Sequence, residues 1–350
     1  MAGRILLCAA GLSLAGLGAS LVRADTLGVA NDYNVFVLGD MSMSNVDAGG
    51  KVAVAGNATF NNYTINGSSS STNLIVNGNF TKTGGGTLNG NVLVNGNANI
   101  SNPTITGKLE VNGSTYINPN GGGSVSGGIV HNGSYTAPSY FVYNTTVTTG
   151  YTALPFSFSD AATYLTNQSS FWGSLTTNGT TTSSSGHLTL AGTNTSLDIF
   201  TVTAAQILSG ISFDLSVPTG ATALINVTGS TVNFQNFGFN VSGANDEHVL
   251  FNLVNATTVN ISGVGIYGSL LAPNATVHFN NGNIDGTLVA GNLDGNGEAH
   301  LHLFQGDIYG PPPTVTPFTA AVPAPASAAG GIALLGGLLA ARKLRSARLS

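Results

Sequence analysis

Asn73-Leu74-Ile75-Val76-Asn77-Gly78-Asn79 and Asn91-Val92-Leu93-Val94-Asn95-Gly96-Asn97 are two copies of one phrase, with their glycines 18 residues apart. Each is an apolar run closed by Asn-Gly-Asn. Looser copies lie on either side: Lys51-Val52-Ala53-Val54-Ala55-Gly56-Asn57 before, then Lys108-Leu109-Glu110-Val111-Asn112-Gly113-Ser114 and Gly128-Ile129-Val130-His131-Asn132-Gly133-Ser134 after. The glycines at 56, 78, 96, 113 and 133 are 22, 18, 17 and 20 residues apart. Short β-branched runs bounded by Gly and Asn read as strands. A period of about 20 suits the coils of a β-solenoid better than a string of hairpins. Stacked coils bury inward apolar positions that no single coil can bury. Gly and Asn are expected in left-handed corners, and stacked Asn side chains in amide ladders. The competing reading is a β-sandwich of hairpins, since Asn-Gly is also the strongest two-residue hairpin turn.

The phrase returns at Gly268-Ser269-Leu270-Leu271-Ala272-Pro273-Asn274 and Gly286-Thr287-Leu288-Val289-Ala290-Gly291-Asn292. Between the two blocks the texture changes. Residues 158–175 carry Ala161, Ala162, Tyr164, Leu165, Phe171 and Trp172, with Ser159 or Asp160 to cap the start. They predict one helix, packed along the solenoid or over an open end. Residues 199–241 read as further strands. The expected fold is mainly β: a solenoid domain over 25–310 with one packed helix, a signal helix before it and a short membrane helix after it.

The ends support export. Arg4 and the apolar run 5–17 precede Val22-Arg23-Ala24, which predicts a signal peptide over 1–24 cut between Ala24 and Asp25. The single cysteine, Cys8, falls inside it, so the mature chain has no disulfide and no thiolate metal site. At the other end a Pro-rich spacer and motif over 311–326 leads to an apolar stretch, 327–341, and a basic end, 342–350. That stretch is slightly short for a span, which takes about 17 to 25 residues. Arg342, Lys343, Arg345 and Arg348 would hold the end on the cytoplasmic side.

Charge narrows the partners. Of nine Lys and Arg, only Lys51, Lys82 and Lys108 fall between the signal and the basic end, against fourteen acids, a formal charge of −11. Nucleic acid is excluded as a partner, because phosphates need cations to neutralise them. Neutral glycan or matrix protein fits a chain rich in Asn, Ser, Thr and Tyr, including Tyr116, Tyr135, Tyr140 and Tyr143.

The tail resembles the PEP-CTERM class of bacterial sorting signals. Val322-Pro323-Ala324-Pro325-Ala326 is closest to its VPLPA variant, with Ala324 in place of leucine. The resemblance implies an exosortase-type partner and retention through the C-terminal span. The body resembles the choice-of-anchor A family of bacterial surface domains. Tyr33-Asn34-Val35-Phe36-Val37-Leu38-Gly39-Asp40 is similar to its first strand, and residues 47–56 to its next segment. Val249-Leu250-Phe251-Asn252, Leu271-Ala272-Pro273-Asn274-Ala275 and Phe304-Gln305-Gly306 follow in order. This likeness implies a cell-surface or extracellular-matrix location and adhesion, and supplies no catalytic residues.

Four other chemistries are open to the residues. Asp40, Asp47, Asp285, Asp294, Asp307 and Glu298 could bind calcium, although turn stabilisation explains them more simply and no cofactor is expected. Glu298, His300 and His302 would share one strand face, a possible metal trio. Asp246-Glu247 on a strand would point to opposite faces, unlike the facing carboxylates of a glycosidase, so an enzyme is not expected. A polysaccharide-acting β-helix enzyme remains the alternative to an adhesin, as does ice binding. Thr145-Thr146 and Thr180-Thr181-Thr182 are runs, not the alternation of a flat ice-binding face; Thr aligned on successive coils would favour that reading.

Overall fold

The computed structural model describes residues 26–118, 122–142 and 145–310. The signal cleavage at Ala24 and Asp25, the motif at 322–326, the 327–341 span and the basic end lie outside them. No helix among the described residues is long and apolar enough to cross a membrane.

The described chain is a parallel β-solenoid with three faces per coil. Val52–Val54, Thr72–Val76, Asn91–Val94, Leu109–Val111 and Ile129–His131 stack in register on one face. Ala58–Ile65, Phe80–Thr83, Ala98–Ser101 and Thr115–Asn118 begin the second. The third carries short strands such as Thr104–Ile105 and Ser124–Val125. Later strands join the same stack: Leu197–Thr203, Thr222–Thr228 and Val249–Leu253 on the first face, Thr231–Gln235 and Thr258–Ser262 on the second.

Coil order departs from chain order. Val35–Val37 pairs on one side with Val52–Val54, its neighbour in sequence, and on the other with Leu288–Gly295, the last full strand. The second face repeats this, with Met41 opposite both Leu293 and Ala58. The chain therefore starts mid-stack and winds to one end, at Val147–Thr149. It then crosses back and winds from the other end until it closes on its own first coil. The segment containing the helix Phe158–Gly173 makes the crossing.

That helix explains the first face's sequence. Beneath it, strands such as Val35–Val37, Val52–Val54 and Val249–Leu253 are buried at every position, because they face two cores. Val35, Val37, Val52 and Val54 point into the solenoid. Phe36, Ala53, Ile75, Leu224, Leu250 and Val289 point outward beneath Phe158, Ala161, Leu165 and Trp172. The helix starts at Phe158, as its sequence suggested, and ends at Gly173; its cap is Ser157, not Ser159 or Asp160, and accepts from the Asp160 N–H at 3.2 Å. A buried amide cluster pins it. Ser169 Oγ donates to Asn252 Oδ1 at 2.6 Å, Asn252 Nδ2 donates to Asn226 Oδ1 at 2.8 Å, and Asn226 Nδ2 donates to the Trp172 carbonyl at 2.8 Å.

Of the repeat glycines, Gly128 and Gly268 are left-handed as their sequence suggested, while five others do a different job. None of Gly56, Gly78, Gly96, Gly113 and Gly133 is left-handed. They sit where successive corners nearly touch: a Cβ on Gly78 would lie 2.4 Å from the Gly56 carbonyl oxygen, and one on Gly96 2.4 Å from that of Gly78. Left-handed corners fall on Asn45, Asn62 and Asn102, between the second and third faces, and on other glycines, among them Gly84, Gly90 and Gly123. The amide ladder does form. Asn95, Asn112 and Asn132 each donate Nδ2 to the Oδ1 of the Asn one coil before, at 3.1, 3.0 and 2.8 Å.

Both ends of the stack are covered. Phe141, on the short helix Ser139–Val142, closes one over the core. At the other, Thr180–Ser184 pairs antiparallel with His187–Ala191, which accounts for the Thr run, and the Asn178 N–H donates to the Ile199 carbonyl. Residues 199–241 hold the expected strands plus one element not foreseen, the helix Ala204–Leu208 with its Thr203–Gln206 capping box.

Candidate binding faces

With the first face covered by the helix over much of its length, the second and third remain as broad surfaces. Strand alternation sends every second residue outward. On the second face, register aligns Ser42 with Thr59, Thr81, Asn99, Tyr116 and Thr136 in one direction. In the other it aligns Ser42 with Asp294, His278, Asn260 and Asn233. At roughly 4.8 Å per coil, this file of ten side chains runs about 43 Å. None is aliphatic and none is Lys or Arg. Asn260 Nδ2 donates to Asn233 Oδ1 at 2.8 Å, and His278 Nδ1 meets Asp294 Oδ1 at 2.8 Å. Tyr116, 48% exposed, is the one aromatic in the file.

A second polar rank borders it at the glycine corner. Asp40 Oδ1 accepts the Asn57 N–H at 2.7 Å, Asn57 Oδ1 that of Asn79 at 3.0 Å, and Asn79 Oδ1 that of Asn97 at 2.9 Å. Each side chain caps the backbone of the next coil, which fixes the spacing of the rank.

The third face has two zones. Thr64, Thr87, Thr104 and Ser124 align on successive coils, through the bridges of Ile65 to Leu88 and Leu88 to Ile105. Its other zone, where the last coil meets the first, is charged. His300 Nδ1 lies 2.6 Å from Asp285 Oδ1 and its Nε2 3.5 Å from Glu298 Oε1. Burial alone would lower the His300 pKa, but the carboxylates of Asp285 and Glu298 outweigh it and raise it. Glu298 is raised in turn, chiefly by its hydrogen bond with Asp47 across the seam.

A family model described as Putative Ice-binding-like adhesive domain matches residues 26–301. The chain belongs to this family. No curated protein and no solved structure matches it. The adhesive domain so identified comprises nearly all of the solenoid.

Several candidate residues sit differently in the adhesive domain from their sequence reading. Glu298 and His300 share a strand, but His302 lies beyond its end and turns to Asp246, with Nδ1 2.8 Å from Oδ2. The possible metal trio is therefore not assembled. Among the described residues no group of three or more His, Cys, Asp or Glu could hold a metal ion. Of the acids considered for calcium, Asp40 caps the Asn57 corner, Asp47 accepts from Asn66, Asp285 and Glu298 hold His300, and Asp294 holds His278. The backbone N–H of Asp307 donates to Thr222 Oγ1 at 3.1 Å. Asp246 and Glu247 lie on a turn of 3-10 helix, not on a strand.

One trio was missed by sequence. Ser212 Oγ lies 2.8 Å from His187 Nδ1 and donates to Asp214 Oδ2 at 2.7 Å, while Asn240 Nδ2 donates to Asp214 Oδ1. These bonds from Asn240 and Ser212 lower the Asp214 pKa. A proton relay needs Ser and Asp on opposite nitrogens of the ring. Here both approach Nδ1, which makes this an inter-coil tie. Its members are spread over residues 187–240, so no local motif announces it.

Proposed function

We propose that the domain attaches its cell to a neutral polar surface, such as an exopolysaccharide, through the second face. The observation that carries this is the ten-residue file through Ser42. Apart from the His278–Asp294 pair, it offers hydroxyl and amide donors and acceptors at one-coil intervals, with Tyr116 as a flat ring for a sugar to stack on. A formal charge of −11 between the signal and the basic end works against polyanions. Binding is tested by passing the protein over immobilised neutral and anionic polysaccharides. Saturable binding to a neutral one, weakened about tenfold or more by Tyr116→Ala, or about 1.4 kcal/mol, supports the reading. Equal retention of the variant, or preference for the anionic polymer, removes it.

The finer parts of this proposal concern delivery. In this reading the chain is cleaved between Ala24 and Asp25 and recognised at residues 322–326 by an exosortase, which would carry the domain outside a bacterial cell, as the likeness to choice-of-anchor A domains implies. Deleting 342–350 should then impair retention or processing. Unchanged location and mature mass would count against it.

Ice binding is the second reading. It is favoured by the aligned hydroxyls of Thr64, Thr87, Thr104 and Ser124, and by the family's description. Thermal hysteresis that disappears in Thr87→Tyr would support it. No hysteresis at any protein concentration would remove it.

A further inference from the structure

The repeat that builds the corners is also a chemically fragile sequence. In an Asn-Gly step the glycine nitrogen can attack the asparagine Cγ, unhindered by any Cβ. A C–N bond forms, ammonia leaves with the amide proton, and water then opens the succinimide to aspartate or isoaspartate. The attacking nitrogen must first give up its proton and turn toward Cγ. An N–H held in a hydrogen bond does neither until that bond opens.

Nine Asn-Gly steps fall within the described residues. In four of them, at Gly78, Gly96, Gly113 and Gly133, the N–H donates to a glycine carbonyl one coil away, at 2.9 to 3.1 Å. Gly90 donates to Thr106 Oγ1 at 2.8 Å, Gly179 to the Ile199 carbonyl at 3.1 Å and Gly297 to the Phe279 carbonyl at 2.9 Å. Only Gly67 and Gly282 have no such bond among the described residues. At the first, the amide that must react is held: Asn66 Nδ2 donates to Asp47 on the adjacent coil. At the second neither reacting group is held, although the Asn281 N–H donates to Asn296 Oδ1 at 2.9 Å and the Gly282 carbonyl accepts from the Glu298 N–H at 2.9 Å. Asn281 is exposed and left-handed at φ 49°, and its side-chain amide has no hydrogen-bond partner among the described residues.

We infer that the stacked corners protect this protein's Asn-Gly steps from succinimide formation, and that Asn281 is the step left open to deamidation. The modification adds a negative charge, and in its isoaspartate form an extra backbone carbon, at the corner between Ser269–Asn280 and Asn283–Asp285. It needs only water, and it does not depend on what the faces bind.

The test is to incubate the intact chain in warm, mildly alkaline buffer and follow each Asn-Gly peptide by mass spectrometry. A sample unfolded in guanidinium chloride runs alongside. In the folded protein Asn281 should convert first, roughly tenfold or more ahead of Asn77, Asn95, Asn112 and Asn132, since an opening cost of only about 1.4 kcal/mol slows attack tenfold. Unfolding should bring the steps to similar rates. If any ladder asparagine converts as fast as Asn281 in the folded chain, or if the ranking survives unfolding, the inference is overturned.

Discussion

Replacing Gly78 by alanine tests the reason the repeat carries glycine at all. The added methyl would sit 2.4 Å from the Gly56 carbonyl oxygen, 2.6 Å from its carbon and 2.9 Å from the Asn57 nitrogen. Non-bonded atoms settle about 3.5 to 4.0 Å apart, so the two corners must separate by roughly an ångström. That separation stretches the bond from the Gly78 N–H to the Gly56 carbonyl, now 2.9 Å, beyond hydrogen-bond range. It also pulls on the bond from the Asn79 N–H to Asn57 Oδ1, now 3.0 Å. One or two lost bonds cost about 1 kcal/mol each, and forced overpacking about 1 to 3 kcal/mol more. The expected loss is therefore about 2 to 5 kcal/mol.

Gly238 supplies the contrast. It begins the strand Gly238–Ser242, is not left-handed, and has nothing within 4 Å of an added Cβ. Gly238→Ala should stabilise by about 0.4 to 1 kcal/mol, through the unfolded chain's reduced freedom. Urea unfolding followed by far-ultraviolet circular dichroism separates the two. At constant slope, Gly78→Ala should move the midpoint down and Gly238→Ala slightly up. A Gly78→Ala midpoint within error of wild type would mean that the corners have slack, and that steric contact does not explain the repeat.

Three further outcomes follow from buried groups and from charge. Lys82 Nζ lies inside the solenoid on the carbonyls of Gly84, Gly85 and Asn102, and burial lowers its pKa from 10.5 to about 8. The unfolded chain then binds more protons between those values. Wild-type stability should rise relative to Lys82→Met as pH climbs through that window, in paired unfolding curves, and a constant difference would refute it. Asn252→Ala strips the donor from the Ser169 carbonyl and Asn226 Oδ1, costing about 2 to 4 kcal/mol. The chain's one tryptophan, Trp172, reports this directly: it is fully buried in the wild type, and its emission should shift red if the helix loosens. Attachment through neutral groups should weaken by less than about tenfold between roughly 50 and 500 mM NaCl, because few charge pairs are screened. A larger loss would show that charge carries the contact.

The coils were legible because their signal is local. Alternation fixes which residues point inward, and the roughly 20-residue period exceeds what a hairpin needs. The ladder of Asn95, Asn112 and Asn132 follows from that period alone. What stayed hidden depends on distant partners. Nothing near Val35 says that its other neighbour is Leu288, because a parallel pairing leaves no mark on either strand beyond apolar character. The same gap concealed the His187, Ser212 and Asp214 tie, and it made Glu298, His300 and His302 look like one site when the strand ends between the histidines.

The glycines show that one repeat can need the same residue for two different reasons. A corner can need glycine for its own dihedral angle or for the space its neighbour requires, and the two look identical in sequence. Here both occur, and they meet at Gly90, which is left-handed and whose added Cβ would lie 2.4 Å from the Ser71 carbonyl oxygen. Asn45, Asn62 and Asn102 take the left-handed angle, which a short polar side chain tolerates. Gly56, Gly78 and Gly96 yield their volume to the coil beside them. The distinction bears on function. A left-handed corner constrains one residue, whereas a contact corner passes its spacing from coil to coil through Asn57, Asn79 and Asn97. That rank borders the file containing Thr59, Thr81, Asn99 and Tyr116, so the close approach of the glycines sets the interval at which the second face presents its hydroxyls and amides. A methyl at Gly78 should therefore disturb binding across two adjacent rungs of the face, even in a chain that still folds.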